Sequence, residues 1–154
     1  MRIAVPSIVP ALCLLLCCAA GSAARAADGP TAADIQVRRD FETILDLWRD
    51  GRFEELYDRS YGSAGRSRES FLRKMSAADR RPACCWEKMQ EVKVTISNAG
   101  TATLRARIGL EGTGTDTDSC TRSFRLRRED GVWKASLSDI LAVAGASRKK
   151  RGRH

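Results

Sequence analysis

Cys84, Cys85 and Cys120 are the residues in the body of this chain best equipped for chemistry. They fit three readings: a disulfide, free buried thiols, or metal ligation. Zinc takes about four Cys or His ligands, or three plus water. The only histidine is His154, at the extreme end, so no metal site is expected and no cofactor is implied. A disulfide is the leading reading. Cys120 shares strand parity with Phe124 and Leu126, so its thiol is expected on the apolar side of a sheet. Cys84 and Cys85 stand just ahead of the first strand, and a bond between adjacent cysteines needs a strained ring. The expected bond is therefore Cys85 to Cys120, with Cys84 to Cys120 as the alternative. It would close a loop of about 35 residues, stabilising by about 3–4 kcal/mol in the chain-entropy account. One thiol is left over.

Acid–base chemistry has few candidates. No histidine lies inside the body, which leaves Asp46, Tyr57, Asp58 and Tyr61. Asp46 falls on the polar side of a helical stripe, and Asp58 follows an inward Tyr57 and is expected to turn away. A carboxylate acts as a base when burial raises its pKa, but no spacing here forces two such groups into one site. Trp48, Tyr57, Trp86 and Trp133 could line a pocket for an apolar ligand, or serve as ordinary core. Arg105 and Arg107 on one strand, with Arg125 and Arg127 on the next, project away from the apolar face. They could hold an anion or an acidic partner, or splay into water, where screening weakens their repulsion.

The first 26 residues give an address. Arg2 precedes an apolar run through Ala20, and Ala24-Arg25-Ala26 fits the A-x-A exit of an export signal. The densest part, 11–20, is too short to cross a bilayer core of about 30 Å as a helix. Cys13, Cys17 and Cys18 lack the small preceding residue that lipoprotein cleavage requires. Cleavage after Ala26 leaves residues 27–154, near the commonest single-domain size. The expectation is an exported chain, periplasmic or extracellular, soluble once the signal is removed.

Charge is unevenly placed. Of 27 Lys and Arg, Arg2 and Arg25 belong to the signal and five crowd the tail, at Arg148, Lys149, Lys150, Arg151 and Arg153. That leaves 20 in the body against 19 acids. A nucleic-acid-binding domain spreads basic charge over a docking face, so no specific nucleic-acid partner is expected. The tail is read as a disordered, solubilising end, with weak contact to anionic surfaces as the rival.

Residues 27–32 form a leader, 33–145 a domain, and 146–154 the basic tail. Val37, Phe41, Ile44, Leu45 and Trp48 make one helical stripe, capped by Thr31 or Asp34 and ended by Asp50-Gly51. Phe53, Leu56 and Tyr57 mark a second helix. Residues 60–65 read as a loop. Phe71, Leu72 and Met75 mark a third helix, closed by Arg80-Arg81-Pro82. From Trp86 the period becomes two. Val92, Val94 and Ile96 form one strand, and Ala102, Leu104, Ala106, Ile108 and Leu110 the next. Cys120, Phe124 and Leu126 belong to the third, and Trp133, Ala135 and Leu137 to the fourth. Ile140, Leu141 and Val143 follow as a short apolar ending. Helices followed by antiparallel strands predict an α+β fold, with N-terminal helices on a curved sheet of about four strands.

The segment Leu45-Asp46-Leu47-Trp48-Arg49-Asp50-Gly51-Arg52-Phe53-Glu54-Glu55-Leu56-Tyr57 and the hairpin Arg127-Arg128-Glu129-Asp130-Gly131-Val132-Trp133-Lys134 resemble the NTF2-like (SnoaL-like) α+β cone superfamily. The likeness spans about residues 33–143 and is one of architecture, not of a catalytic motif. Enzymes of that superfamily commonly use Asp–His or Tyr–Asp pairs inside the cone, and the missing histidine excludes the first. The superfamily includes enzymes, ligand carriers, assembly factors and exported proteins, so the resemblance implies a fold and not a function. With the export signal and no acid–base pair forced together, the expectation is an exported, non-enzymatic domain that binds a small apolar ligand or a protein partner. The alternatives are a cone-type enzyme using an internal carboxylate and tyrosine, and an envelope assembly or structural factor forming a homodimer through its sheet.

Overall fold

The long opening helix is set by its first and last residues. In the computed structural model, which describes residues 29–62, 67–112 and 117–145, α1 runs Ala32–Arg49. Thr31 and Asp34 form a reciprocal capping box: Asp34 N–H donates to Thr31 Oγ1 at 3.1 Å, and Thr31 N–H to the Asp34 carboxylate at 2.9 Å. Gly51, at φ +73°, ends the helix in a conformation that favours glycine. The stripe Val37, Phe41, Ile44, Leu45 and Trp48 is buried.

The chain continues through α2 (Phe53–Asp58), β1 (Ser60–Tyr61), α3 (Arg68–Ser76) and β2 (Arg81–Pro82). A single 3-10 turn, Cys85–Lys88, leads into β3 (Gln90–Asn98), β4 (Thr101–Glu111), β5 (Thr117–Glu129) and β6 (Val132–Ser136), and α4 (Leu137–Val143) closes the order. The hairpin between β5 and β6 turns on Asp130 and Gly131, at φ +52° and +79°, as two-residue hairpin turns of this hand require.

The fold is α+β, with helices packed on a strongly curled, mainly antiparallel sheet that forms a half-barrel. Its order is β1-β6-β5-β4-β2, with β3 also on β4 and only β1–β6 parallel. β2 meets β4 at Leu110 and Glu111, while β3 meets it from Thr101 to Arg107. β2 and β3 thus share one edge of β4, with a break between Arg107 and Leu110.

Alternation along β4 buries Ala102, Leu104, Ala106, Ile108 and Leu110, facing Phe124 and Leu126 of β5 and Phe41 and Ile44 of α1. The Phe41 and Phe124 rings pack 4.6 Å apart. Burying side chains of this size supplies about 1.5–3 kcal/mol each.

Four sequence expectations are corrected. Ser60–Tyr61 is a strand rather than loop, because its backbone pairs with Ala135 and Ser136. Helix α3 stops at Ser76, and Arg81–Pro82 is a strand against β4. Trp86 lies in the 3-10 turn, not in a strand. Leu137, expected on the fourth strand's apolar face, lies beyond the end of β6 and opens α4, to which the apolar ending Ile140, Leu141 and Val143 belongs. The sheet therefore has six strands, two of only two residues each. The export signal expected at 1–26 and the basic tail expected at 146–154 lie outside the described residues. Among the described residues, no helix is long and apolar enough to cross a membrane.

Candidate functional site

The break in the sheet edge is built like a loop with two buried feet. Ala83 and Met89 are buried, while Cys84, Cys85, Trp86 and Glu87 between them are exposed. Ala83 N–H donates to the Gly109 carbonyl at 2.8 Å, carrying strand pairing one residue past β2. Arg49 of α1 fastens the same corner, donating to the Pro82 carbonyl at 2.8 Å and pairing with Glu111 at 3.1 Å. Glu111 also accepts from Cys84 N–H at 3.3 Å and pairs with Arg81. The Arg49 hydrogen bond and charge hold the Glu111 carboxyl below the usual range, against a smaller opposing effect of burial. Lys88 anchors the other end through Asp46 of α1, at 2.6 Å.

This fastening leaves Trp86 in solvent. It is 74% exposed, against 2% for Trp133 and 3% for Trp48. Beside it runs an outer groove of about 350 Å³, lined by Trp86, Glu87, Gln90, Arg107, Gly109, Asp118 and Ser119. Arg107 is held there by Ser119 at 3.2 Å and Glu91 at 3.6 Å. Three described non-glycine residues have left-handed backbone: Asp130 in the hairpin, Cys85 (φ +60°) within this loop and Glu91 (φ +52°) just after it. Each such residue costs about 1–3 kcal/mol, and strain of this kind concentrates at functional sites. A large apolar ring, a polar groove and two strained residues coincide at one place. An exposed aromatic over polar walls can anchor a partner's surface.

No protein-family model matches the chain, and no curated protein matches it in sequence. The site must therefore be read from its own geometry.

The aromatic residues singled out in the sequence are not gathered into one pocket. Trp48 and Trp133 belong to the core. Tyr57 is half-buried against Phe71, at 5.5 Å between rings, beneath the Arg68 guanidinium. Trp86 stands apart. Trp133 Nε1 is buried without a hydrogen-bond partner, while its backbone N–H donates to Asp40 at 3.0 Å.

The acid–base candidates are also dispersed. Asp46 is tied to Lys88 and Asp58 to Arg68, which also holds Glu54 at 2.6 Å. Tyr61 lies under Arg127, 4.8 Å from ring centre to guanidinium, and burial pushes its pKa up. Among the described residues, no three His, Cys, Asp or Glu side chains converge as metal ligands.

Arg105, Arg107, Arg125 and Arg127 occupy the outer face, but the register seats each opposite a hydroxyl residue: Ser123, Thr121, Thr103 and Thr101. Arg125 is clamped to Asp139, Arg127 covers Tyr61 and Arg107 sits at the groove. Arg105 faces Lys93 across the β3–β4 pair.

The cysteine pairing is corrected. All three body cysteines are free, so neither Cys85–Cys120 nor Cys84–Cys120 is bonded. Cys120 is opposite Ile108 on β5, whereas Cys84 and Cys85 lie along the far edge of β4. Strand β4 stands between them, which puts the two places about two strand spacings, or 9–10 Å, apart. Disulfides need Cα atoms within about 7 Å. Parity located the face of Cys120 but could not reveal the intervening strand. The only sequence signal for the loop was two adjacent cysteines before a tryptophan, at a point where no periodicity holds.

Proposed function

We propose that this chain is an exported NTF2-like domain that works by binding a protein partner, without catalysis, through the Trp86 loop and its groove. The carrying observation is Trp86, a tryptophan held out in solvent by a loop whose two ends are buried. Exposed tryptophans in polar surroundings are frequent interface anchors. The curled half-barrel and the helix-then-sheet order support the NTF2-like assignment, together with the hairpin at Asp130-Gly131. The basic start and A-x-A exit of the first 26 residues support export.

An apolar ligand inside the cone is less well supported, because Leu104, Ile108, Phe124, Leu126 and Trp133 already fill the concave side with α1. The enzyme reading loses support from the dispersal of Asp46, Tyr57, Asp58 and Tyr61 into separate contacts.

Native mass spectrometry of the protein from its own exported fraction tests the reading. The expected species begins at Ala27 and carries a second, different chain that is lost in Trp86→Ala. A bare monomer in both proteins overturns the binding role. A homodimer that survives Trp86→Ala favours the structural alternative instead.

A further inference from the structure

Adjacent residues of an ordinary strand point their side chains to opposite faces. Cys84 and Cys85 do not. Cys84 is extended, at φ −82° and ψ 164°, but Cys85 is left-handed at φ +60°, and this reversal brings both sulfurs to one side. Their Sγ atoms lie 2.8 Å apart, about 0.8 Å longer than a covalent S–S bond of about 2.05 Å. Both residues are exposed, so a reagent can reach them. The left-handed backbone of Cys85 thus brings the two thiols together, while the ring they would close stays strained.

We propose that Cys84 and Cys85 form a dithiol–disulfide exchange site, closing a ring between neighbouring residues by reaction with a disulfide co-substrate. The inference does not depend on the partner-binding reading. One cysteine thiolate attacks a sulfur of the co-substrate, forming a mixed disulfide and releasing one thiolate. The second cysteine then attacks the protein sulfur of that mixed disulfide, closing the ring and releasing the other thiolate. The two cysteine protons end on the two leaving thiols. The protein pair loses two electrons and the co-substrate gains them.

Adjacency also sets the character of the bond. Consecutive Cα atoms are about 3.8 Å apart, below the usual disulfide range of about 4.4–6.8 Å. Strained and exposed disulfides are the readily reduced ones. This pair is therefore built for reversible exchange rather than for holding the fold together. The sulfur–sulfur contact, followed by burial, pushes the Cys84 thiol up, and the flanking Trp86 offers a fluorescence reporter.

The test treats the chain from residue 27 onward with oxidised glutathione and maps its peptides without reduction. The expected Cys84–Cys85 peptide is lighter by two hydrogens, Cys120 remains a thiol, and excess reduced glutathione restores the original mass. Cys120→Ala should still close the ring, and Cys84→Ser should stop at a glutathione adduct on Cys85. A bond from either cysteine to Cys120 overturns the proposal. So does a wild-type protein that ends with both thiols alkylatable, or with a lasting glutathione adduct.

Discussion

The Glu87 carbonyl oxygen lies so close over Gly109 that a Cβ built at that position would stand 2.4 Å from it. The neighbour is backbone, so no side-chain rotation relieves the clash. The 3-10 turn and β4 are in contact here, and this contact sets the height of the Trp86 loop above the sheet.

Gly109→Ala should therefore lift the loop. Overpacking of this kind costs about 1–3 kcal/mol, and the displaced Trp86 should change its emission. Urea melts followed by fluorescence provide both readings. A variant within about 0.5 kcal/mol of the parent, with unchanged emission, would show that the contact is not needed.

The two tryptophans farthest apart in environment should respond oppositely to truncation. Trp133→Ala removes a 2%-exposed core ring and should cost about 3–5 kcal/mol. Trp86→Ala removes a ring already in water and should stay within about 0.5 kcal/mol of the parent. Denaturation of the two variants side by side decides the matter. A large loss for Trp86→Ala would make it a structural residue and remove the basis of the interface.

How far the sequence could be read depended on periodicity. The α1 stripe from Val37 to Trp48 and the β4 alternation from Ala102 to Leu110 are buried as their spacing predicts, because each element covers one long apolar face. Two-residue strands carry no period at all. Ser60–Tyr61 and Arg81–Pro82 exist through backbone pairing with chain far away in sequence. The candidate site lay in the same blind spot. Nothing in the spacing of Cys84, Cys85 and Trp86 announces a left-handed backbone or a groove with Arg107 on its wall.

Asp40 is the one side chain given to the Trp133 backbone, accepting its N–H at 3.0 Å. Asp40→Ala would strand that donor in a part-buried place, at a cost of about 1–3 kcal/mol. Asp40→Asn keeps an acceptor oxygen and should recover much of the loss. Equal destabilisation by the two substitutions, measured in urea, would mean that the carboxylate charge matters rather than the hydrogen bond.

Arg125 and Asp139 clamp α4 to β5. The Arg125 backbone N–H and Nε reach one Asp139 oxygen at 3.0 and 3.1 Å, and Nη2 reaches the other at 2.9 Å. Burial pushes the Asp139 carboxyl up, but the combined hydrogen bonds and charge of Arg125 hold it below its usual range. A carboxyl depressed in the folded state adds stability above its unfolded pKa, about 3.9, and loses it as pH falls through the lower folded value. Arg125 is largely in solvent, with 64% of its side chain exposed, so the clamp should contribute about 1 kcal/mol at neutral pH. Asp139→Asn should lose that amount at pH 7, and the gap to the parent should shrink below about pH 4. Urea melts at several acid pH values give the difference curve, which cancels the contributions of the other carboxylates. A gap that stays constant from pH 7 to pH 2.5 would show that the Asp139 charge contributes nothing to the clamp.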